Sequence, residues 1–298
     1  MTSSPVWQTR LFVLAAAVAV LAASLFEPDL MTQTLLLAPF VAVFGLPHGA
    51  LDLPIAEALW PLRGWRGKAL FASLYLGLSG LVVLVWVVLP GPSLFAFLIY
   101  SAVHFSGDWS HSPAALRWSG GIATIAAPAL FHSADVARIF GYLAPQPVAD
   151  LATSCLVVAG GTAVVTFAAL IILRPVLRTG AAAEQAALWI AAALLAPLVY
   201  FIVYFCALHS VRHTAETINC LKDRKRALLT AGLLSAVTAL AALASFLLRD
   251  GLQAGSAVAS ISQTIFIGLA ALTIPHMALV DRFQRSRRPL TAVSGSEG

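Results

Sequence analysis

Long apolar runs separated by short polar stretches are the dominant pattern of this chain. Five runs contain no Asp, Glu, Lys or Arg: residues 69–103, 151–173, 185–211, 227–248 and 251–280. Each is at least as long as the roughly 20 residues that a helix needs to cross a hydrocarbon core. A hydrophobic segment in lipid satisfies its backbone hydrogen bonds as a helix. The pattern therefore predicts an integral membrane protein built from helices.

The same pattern predicts an all-α fold, a polytopic bundle of about eight transmembrane helices forming one domain over residues 1–298. The predicted spans are residues 11–26, 32–59, 70–89, 93–105, 151–173, 184–213, 227–248 and 257–280. A further stretch, 116–133, is interrupted by a Gly pair and a Pro, and is compatible with a span, a re-entrant piece or a packed loop. The N-terminal run resembles a signal peptide, but we expect it to be a retained first helix. Residues 289–298 form a polar tail.

Composition agrees with this interpretation. The chain of 298 residues is 60% hydrophobic and 10% charged, whereas soluble globular proteins are about a quarter charged. The net charge of +5 does not indicate a nucleic-acid partner, because most Lys and Arg residues lie in short loops beside the apolar runs. They indicate topology instead.

The basic loops predict the orientation of a multi-pass protein in the inner (cytoplasmic) membrane. They are residues 62–68, 222–226 and 281–288. With these loops and Arg10 on the cytoplasmic side, the number of spans must be even, and eight fits. Arg174 and Arg178 disagree with eight spans, which place them outside.

Histidines and aspartates interrupt the apolar runs in four places. An ionisable group inside a membrane helix costs a few kcal/mol and usually marks a functional site. The clusters are GLPHGALD with His48 and Asp52, AVHFSGDW with His104 and Asp108, ALHSVRH with His209 and His213, and IPHMALVD with His276 and Asp281. Each lies in the C-terminal part of its span, and the eight-span topology sends all four helices in the same direction. The rings can therefore converge in one half of the bilayer.

His209 and His213 are spaced i, i+4, so both imidazoles face the same side of a helix and can bind one metal ion. Alone, this spacing also fits helix-capping or interfacial histidines. Asp52 and Asp108 each follow a histidine by four residues, where a carboxylate can orient a metal-bound ring or bind the metal itself. Arg212 lies to one side of the shared face, and we expect it to reach the cytoplasmic interface or pair with Glu216.

The chemistry of such a centre is only partly determined by the residues. Position 210 is Ser, so the HExxH motif of zinc proteases is absent. The seven histidines are too few for a membrane di-iron hydroxylase, and His111 and His132 lie at loop edges. Four or five histidines suit one mononuclear ion, which could be iron, copper or zinc. A transporter with a His/Asp proton relay, or a membrane haem or copper protein, are the alternatives.

In their order along the chain, GLPHGALD, HFSGDW, HSVRH and PHMALVD resemble the bacterial and archaeal Brp/Blh family of beta-carotene 15,15'-dioxygenases. The resemblance extends from the second helix to the last. It implies an Fe(II) enzyme that cleaves the central double bond of beta-carotene with O2 to give all-trans-retinal, with hand-over of the product to a rhodopsin.

Carried over residue by residue, the resemblance implies four iron ligands, His48, His104, His209 and His213. It places His276 outside the ligand set, together with the aspartates Asp52, Asp108 and Asp281. A substrate dissolved in the lipid bilayer also requires an apolar tunnel entered from the membrane. The aromatic candidates for its lining are Phe44, Tyr100, Phe105, Trp109, Tyr200, Phe201, Tyr204 and Phe205.

Overall fold

A computed structural model describes residues 5–248 and 254–286, and all regular elements in these ranges are helical. The polar tail predicted at 289–298 lies outside the described residues. The described residues form fourteen α-helices: α1 Val6–Leu25, α2 Leu30–Phe40, α3 Leu46–Gly49, α4 Asp52–Leu59, α5 Gly64–Val88, α6 Pro90–Ser106, α7 Ala114–Phe131, α8 Ser133–Gly141, α9 Gln146–Leu173, α10 Gly180–Leu194, α11 Pro197–Tyr204, α12 Ser210–Cys220, α13 Arg224–Leu248 and α14 Ala254–Ser286.

Two π-helical turns join some of these helices into longer units. Val41–Gly45 connects α2 to α3, and Phe205–His209 connects α11 to α12. Six helical stretches in the described ranges are long and apolar enough to cross a membrane: Val6–Leu25, Leu30–Leu59, Gly64–Val88, Gln146–Leu173, Arg224–Leu247 and Ala257–Ser286. The predicted all-α polytopic bundle is confirmed.

One detail differs from the sequence-based prediction, and a second, which the sequence left open, is given by the structure. The single span expected at 184–213 is wrong, because α10 ends at Leu194 and α11 begins at Pro197. Leu195 is extended at φ −107° and ψ 143°, and Ala196, the residue before the proline, is non-helical at φ −57° and ψ 147°. Proline lacks an amide hydrogen and disfavours the α conformation in the residue before it, which accounts for the break. The stretch 116–133, whose structure the sequence left open, is a continuous helix, α7.

Contacts between helix ends define one end of the bundle, called here the first end. Thr9 at the start of α1 donates to Glu184 near the start of α10, at 2.6 Å. Glu57 at the end of α4 forms ion pairs with Lys68 of α5 at 2.5 Å and with Arg226 of α13 at 3.6 Å. The starts of α1, α5, α10 and α13 and the end of α4 therefore lie at this end.

The second end is defined in the same way. Trp86 near the end of α5 donates through Nε1 to the carbonyl oxygen of Leu143, after α8, at 3.0 Å. Gln263 near the start of α14 donates to the carbonyl oxygen of Tyr142 at 2.8 Å. The short helix α8 thus lies at this end, opposite the basic loops.

Within the described ranges, ten helical segments alternate between the two ends: α1, α2–α4, α5, α6, α7, α9, α10, α11–α12, α13 and α14. Compared with the eight predicted spans, α7 is added and the span at 184–213 is divided into α10 and α11–α12, so the number of segments remains even. Arg174 and Arg178, between α9 and α10, therefore lie at the first end with the other basic loops, and not on the opposite side as the eight-span count required. All four histidine-bearing segments run towards the first end.

Two glycines permit close helix packing around these segments. A Cβ on Gly121 of α7 would lie 2.5 Å from the carbonyl oxygen of Ala102 and 2.7 Å from Cβ of Ser106, both on α6. A Cβ on Gly45 would lie 2.6 Å from the ring of Phe205. The first contact sets the distance between α6 and α7, and the second allows the two π-helical turns to cross.

Candidate metal centre

Five histidines from four segments converge inside the bundle: His48 on α3, His104 on α6, His209 and His213 at the start of α12, and His276 on α14. The ring centroids of His209 and His213 are 4.6 Å apart, and those of His104 and His209 are 4.7 Å apart. The ring of His48 lies 5.2 Å from that of His209 and 5.4 Å from that of His276. One compact cluster therefore contains every histidine of the four sequence motifs.

The ring nitrogens are spaced closely enough to share an ion. Possible ligand atoms of His48, His104 and His276 lie within 4.8 Å of one another, as do those of His104, His209 and His213. Nε2 of His104 and Nε2 of His209 are 3.1 Å apart. Two nitrogens at right angles, each about 2.1 Å from one metal ion, would be about 3.0 Å apart. The two triplets share His104, and each of them fits the coordination of one metal ion.

Three of the five rings are fixed through Nδ1, which leaves Nε2 for a metal. Nδ1 of His48 lies 2.5 Å from the carbonyl oxygen of Gly45, and Nδ1 of His276 lies 2.7 Å from Asp52 Oδ1. Nδ1 of His209 lies 3.2 Å from both carboxylate oxygens of Asp108. A carbonyl oxygen only accepts, so Nδ1 of His48 carries the hydrogen and Nε2 carries the lone pair. Hydrogen bonding of the second nitrogen in this way is typical of metal-bound histidines.

The aspartates pair with histidines of other helices and not with the histidine four residues earlier. Asp52 contacts His276 instead of His48, because the chain forms a turn at Ala50 and Leu51 and α4 begins at Asp52. Asp108 contacts His209, because it lies on the 3-10 turn Gly107–Trp109 after the end of α6.

The third acidic candidate, Asp281, lies away from the cluster. It accepts a hydrogen bond from Arg285 at 3.0 Å, and its side chain is 58% exposed. The structure therefore places it in a surface ion pair, one turn apart on α14, with no contact to His276.

Each buried aspartate also accepts a hydrogen bond from a tyrosine hydroxyl, a contact that the sequence analysis predicted for neither tyrosine. Tyr75 on α5 donates to Asp52 Oδ2 at 2.8 Å, and Tyr204 on α11 donates to Asp108 Oδ2 at 2.6 Å. The tyrosines lie on different segments from their acceptors, so no local spacing connects each pair. The result is two equivalent chains of tyrosine, aspartate and histidine on two sides of the cluster.

A buried ion pair lies behind Asp108. Arg212 donates to Glu184 Oε1 at 2.7 Å and to the carbonyl oxygen of Asp108 at 2.7 Å. Glu184 also accepts from Nε1 of Trp109 at 3.0 Å. The side chain of Arg212 is 2% exposed and that of Glu184 is 0% exposed. The expectation that Arg212 extends to the interface is therefore wrong, and sequence analysis did not identify Glu184.

A largely apolar cavity of about 370 Å³ begins at His48, His104 and His276. It continues to Phe140 and Leu143 at the second end of the bundle. Along α14 its lining extends from His276 to Phe266, ten residues or about 15 Å at 1.5 Å per residue.

The cavity also extends to the outer surface of the bundle. Two of its lining side chains, Leu76 on α5 and Val237 on α13, are 64% and 55% exposed. Four of the aromatic candidates line it: Phe105, Tyr200, Phe201 and Phe205. The other four, Phe44, Tyr100, Trp109 and Tyr204, do not belong to its lining.

The two remaining histidines lie apart from the cluster, as their position at loop edges predicted. His111 is exposed in the turn between α6 and α7. Nε2 of His132 lies 3.1 Å from the carbonyl oxygen of Ala192, at the second end.

Comparison with known proteins agrees with the geometry. The family model for beta-carotene 15,15'-dioxygenase matches residues 39–284, which include all five clustered histidines. The beta-carotene 15,15'-dioxygenase of uncultured marine bacterium 66A03 is 32% identical over 260 residues, covering 81% of this chain and 90% of that protein. The probable beta-carotene 15,15'-dioxygenase Blh of Halobacterium salinarum is 28% identical over 297 residues, covering 86% of each. No solved structure matches the chain. The chain thus belongs to the beta-carotene 15,15'-dioxygenase family of enzymes.

Proposed function

We propose that this protein cleaves the central double bond of beta-carotene with O2 to give two molecules of all-trans-retinal. In this proposal Fe(II) is the cofactor, and His48, His104, His209 and His213 bind it. The observation that carries the proposal is the convergence of these imidazoles in one cluster, of which His48 and His104 line the inner end of an apolar cavity that reaches the bundle surface. The names of the two relatives support beta-carotene as the substrate.

The imidazole donors, taken together with membership of a dioxygenase family, favour a redox-active metal ion. Neutral imidazoles suit iron, copper and zinc alike, but zinc has no redox chemistry and a dioxygenase must reduce O2. A ferrous ion at this position would supply O2 activation and oxidation of the carbon–carbon double bond.

The chain's own residues position the ring nitrogens and exclude water. Asp108 and the carbonyl oxygen of Gly45 accept from Nδ1 of His209 and His48, so both rings present Nε2 to the centre. Tyr204 donates to Asp108 and holds that carboxylate in place. Apolar walls of the cavity then keep bulk water from the reacting atoms.

Cavity length supports cleavage at the central bond. The wall along α14 extends about 15 Å from His276 to Phe266. Beta-carotene is comparable in length to the hydrocarbon core of about 30 Å, so half of the molecule fits between the histidines and the second end. A substrate inserted this far has its central double bond beside the rings.

The apolar lining also favours a carotenoid site over a proton relay. A relay through the bundle needs ionisable or hydrogen-bonding groups along its whole path. Between the histidines and Leu143 the walls are mostly hydrocarbon, with Ile125, Val136 and Phe140 among them. Such a surface suits a substrate without charge.

The proposed location is the inner (cytoplasmic) membrane, with the basic first end of the bundle in the cytoplasm. Beta-carotene would then enter from the lipid bilayer near Leu76 and Val237, where the cavity meets the outer surface. Retinal would leave by the same side, and a rhodopsin in the same membrane is the proposed recipient.

Expression in a beta-carotene-accumulating host, followed by retinal extraction and metal analysis, tests the proposal. The wild-type protein should yield retinal and purify with iron near one per chain, whereas His209→Ala should lose both. His111→Ala is the matched control and should behave as the wild type, because His111 is exposed and outside the cluster. Retinal from His209→Ala would contradict the histidine assignment, and no retinal from the wild type would contradict the reaction.

A further inference from the structure

We propose that His276 is a fifth ligand of the metal and not a residue outside the ligand set. This inference rests on the proposed metal centre. Its ring lies 5.4 Å from that of His48 and 5.7 Å from that of His104, centroid to centroid. Possible ligand atoms of these three histidines lie within 4.8 Å of one another.

The two ring nitrogens of His276 have very different surroundings. Nδ1 lies 2.7 Å from Asp52 Oδ1. Nε2 is buried and has no hydrogen-bond partner among the described residues, in a residue that is 4% exposed. Leaving such a polar atom unsatisfied costs about 1–3 kcal/mol. A metal ion in the cluster would remove this cost by bonding to Nε2.

A histidine that only orients another ligand would contact that ligand's ring through one of its own nitrogens. His276 makes no such contact, because Nδ1 is held by Asp52 and Nε2 has no hydrogen-bond partner among the described residues. Nε2 instead belongs to a residue that lines the cavity beside His48 and His104. Metal binding is the role that fits both nitrogens.

The hydrogen-bond partners of His276 match those of His209, one of the four proposed ligands. Tyr75 donates a hydrogen bond to Asp52, which contacts Nδ1 of His276. In the same way, Tyr204 donates to Asp108, which contacts Nδ1 of His209. The Tyr75 hydroxyl also lies 3.1 Å from the carbonyl oxygen of Leu272, one turn before His276 on α14. Carboxylates that fix the tautomer in this way are typical of metal-bound histidines.

A fifth imidazole changes what the centre can bind. Four histidines leave two positions open in an octahedral site, whereas five leave one. The single position would take O2, and the carotenoid would be held by the cavity walls alone. Substrate binding would then depend on shape and apolar contact and would not require the metal.

Cobalt(II) substitution tests the ligand assignment by absorption spectroscopy, without measuring activity. In wild-type protein loaded with Co²⁺, the visible d–d bands report the number and type of ligands. His276→Ala should change the energies and intensities of these bands and weaken Co²⁺ binding by more than about 100-fold, beyond the roughly 10- to 100-fold typical of residues that only orient a ligand. Added imidazole should restore the wild-type bands. His111→Ala is the control and should leave the spectrum unchanged.

The outcomes separate this inference from the proposed function. A fully loaded His276→Ala protein with the wild-type spectrum would overturn the assignment of His276. If that variant fails to fold, His276→Gln, which is closer in volume, is measured in the same way and the same unchanged spectrum overturns it. Wild-type protein that binds the metal but yields no retinal would refute the proposed reaction and leave the ligand assignment intact.

Discussion

Arg212 and Glu184 form an ion pair at 2.7 Å in the interior of the bundle, with side chains 2% and 0% exposed. Arg212 also donates to the carbonyl oxygen of Asp108, whose carboxylate holds the ring of His209. The pair therefore links α10 and α12 to the turn that carries Asp108. Because the pair contacts the residue that holds His209, it connects the stability of the bundle to the geometry of the histidine cluster.

Neutralising one member of this pair should destabilise the protein. We expect Glu184→Gln to lower the free energy of unfolding by about 3–5 kcal/mol, because it leaves the Arg212 charge buried without a counterion. Thermal unfolding in detergent measures the change. Arg285→Gln, in the exposed pair with Asp281, is the control and should cost at most about 1 kcal/mol. Equal melting temperatures for Glu184→Gln and wild type would contradict the expectation.

Asp108 should matter for metal binding more than for folding. Asp108→Asn replaces an acceptor of the His209 Nδ1–H by an amide, and we expect iron affinity to fall by about 10- to 100-fold. Competition with a chelator measures the affinity. Asp150→Asn, at an exposed position on α9, should have no effect. An unchanged affinity for Asp108→Asn would show that the carboxylate does not support the ring.

Substitutions at two helical glycines, one at the contact between α6 and α7 and one at an open position on α9, should have opposite effects on stability. Gly121→Ala should destabilise the protein by about 1–3 kcal/mol, because the added methyl overlaps Ala102 and Ser106 on the helix that carries His104. Gly161→Ala meets no atom within 4 Å and should stabilise by about 0.5–1 kcal/mol, the usual difference between Ala and Gly in a helix. Denaturation of the two purified variants compares them, and the same sign for both would refute the close-packing explanation.

Filling the cavity away from the metal should impair cleavage without loss of iron. Val136→Phe narrows the part of the cavity near the second end, where the end of the substrate would lie. Overpacking of about 1–3 kcal/mol against the bound substrate corresponds to a rate lowered by about 5- to 150-fold. Retinal yield and iron content are measured together, with the surface-exposed Val165→Phe as control. Loss of iron along with activity would mean that the variant disturbs the fold instead.

Cysteine labelling at positions 138 and 178 tests the topology of the ten helical segments. In a background with its cysteines replaced by Ser, Arg138→Cys should react with a membrane-impermeant maleimide added outside intact cells. Arg178→Cys should react only after the membrane is opened, because the structure places it at the opposite, first end. Labelling of Arg178→Cys in intact cells would restore the eight-span topology.

The apolar runs predicted most of the helices because lipid requires backbone hydrogen bonds to be made within each segment. The break at Leu195 was missed, since the hydrophobic run continues through it without a polar residue. Pro197 was the available signal, because proline restricts the residue before it. Because the number of spans had to be even, the missed break also excluded 116–133 as a span, and that exclusion put Arg174 and Arg178 on the wrong side.

The histidines of the cluster could be recognised because each is an ionisable group in an apolar run. Their partners could not, since spacing along one helix says nothing of contacts between helices. Asp52 contacts His276, 224 residues away, and Tyr204 contacts Asp108, 96 residues away. Glu184 begins an apolar run and looks like a boundary charge, yet it is fully buried. Such pairs become visible only once the bundle is assembled.

The two π-helical turns cross at Gly45 and Phe205, and each comes just before or at a histidine of the cluster. A wide turn of this kind contains one residue more than the α-helical register, so the faces before and after it differ by about 100°. Deleting a single residue from Phe205–His209 would straighten the helix and rotate His209 and His213 away from Asp108. The sequence HSVRH therefore does not determine the direction of its side chains by itself. Placed in an unbroken α-helix, the same two histidines would face another side of the bundle.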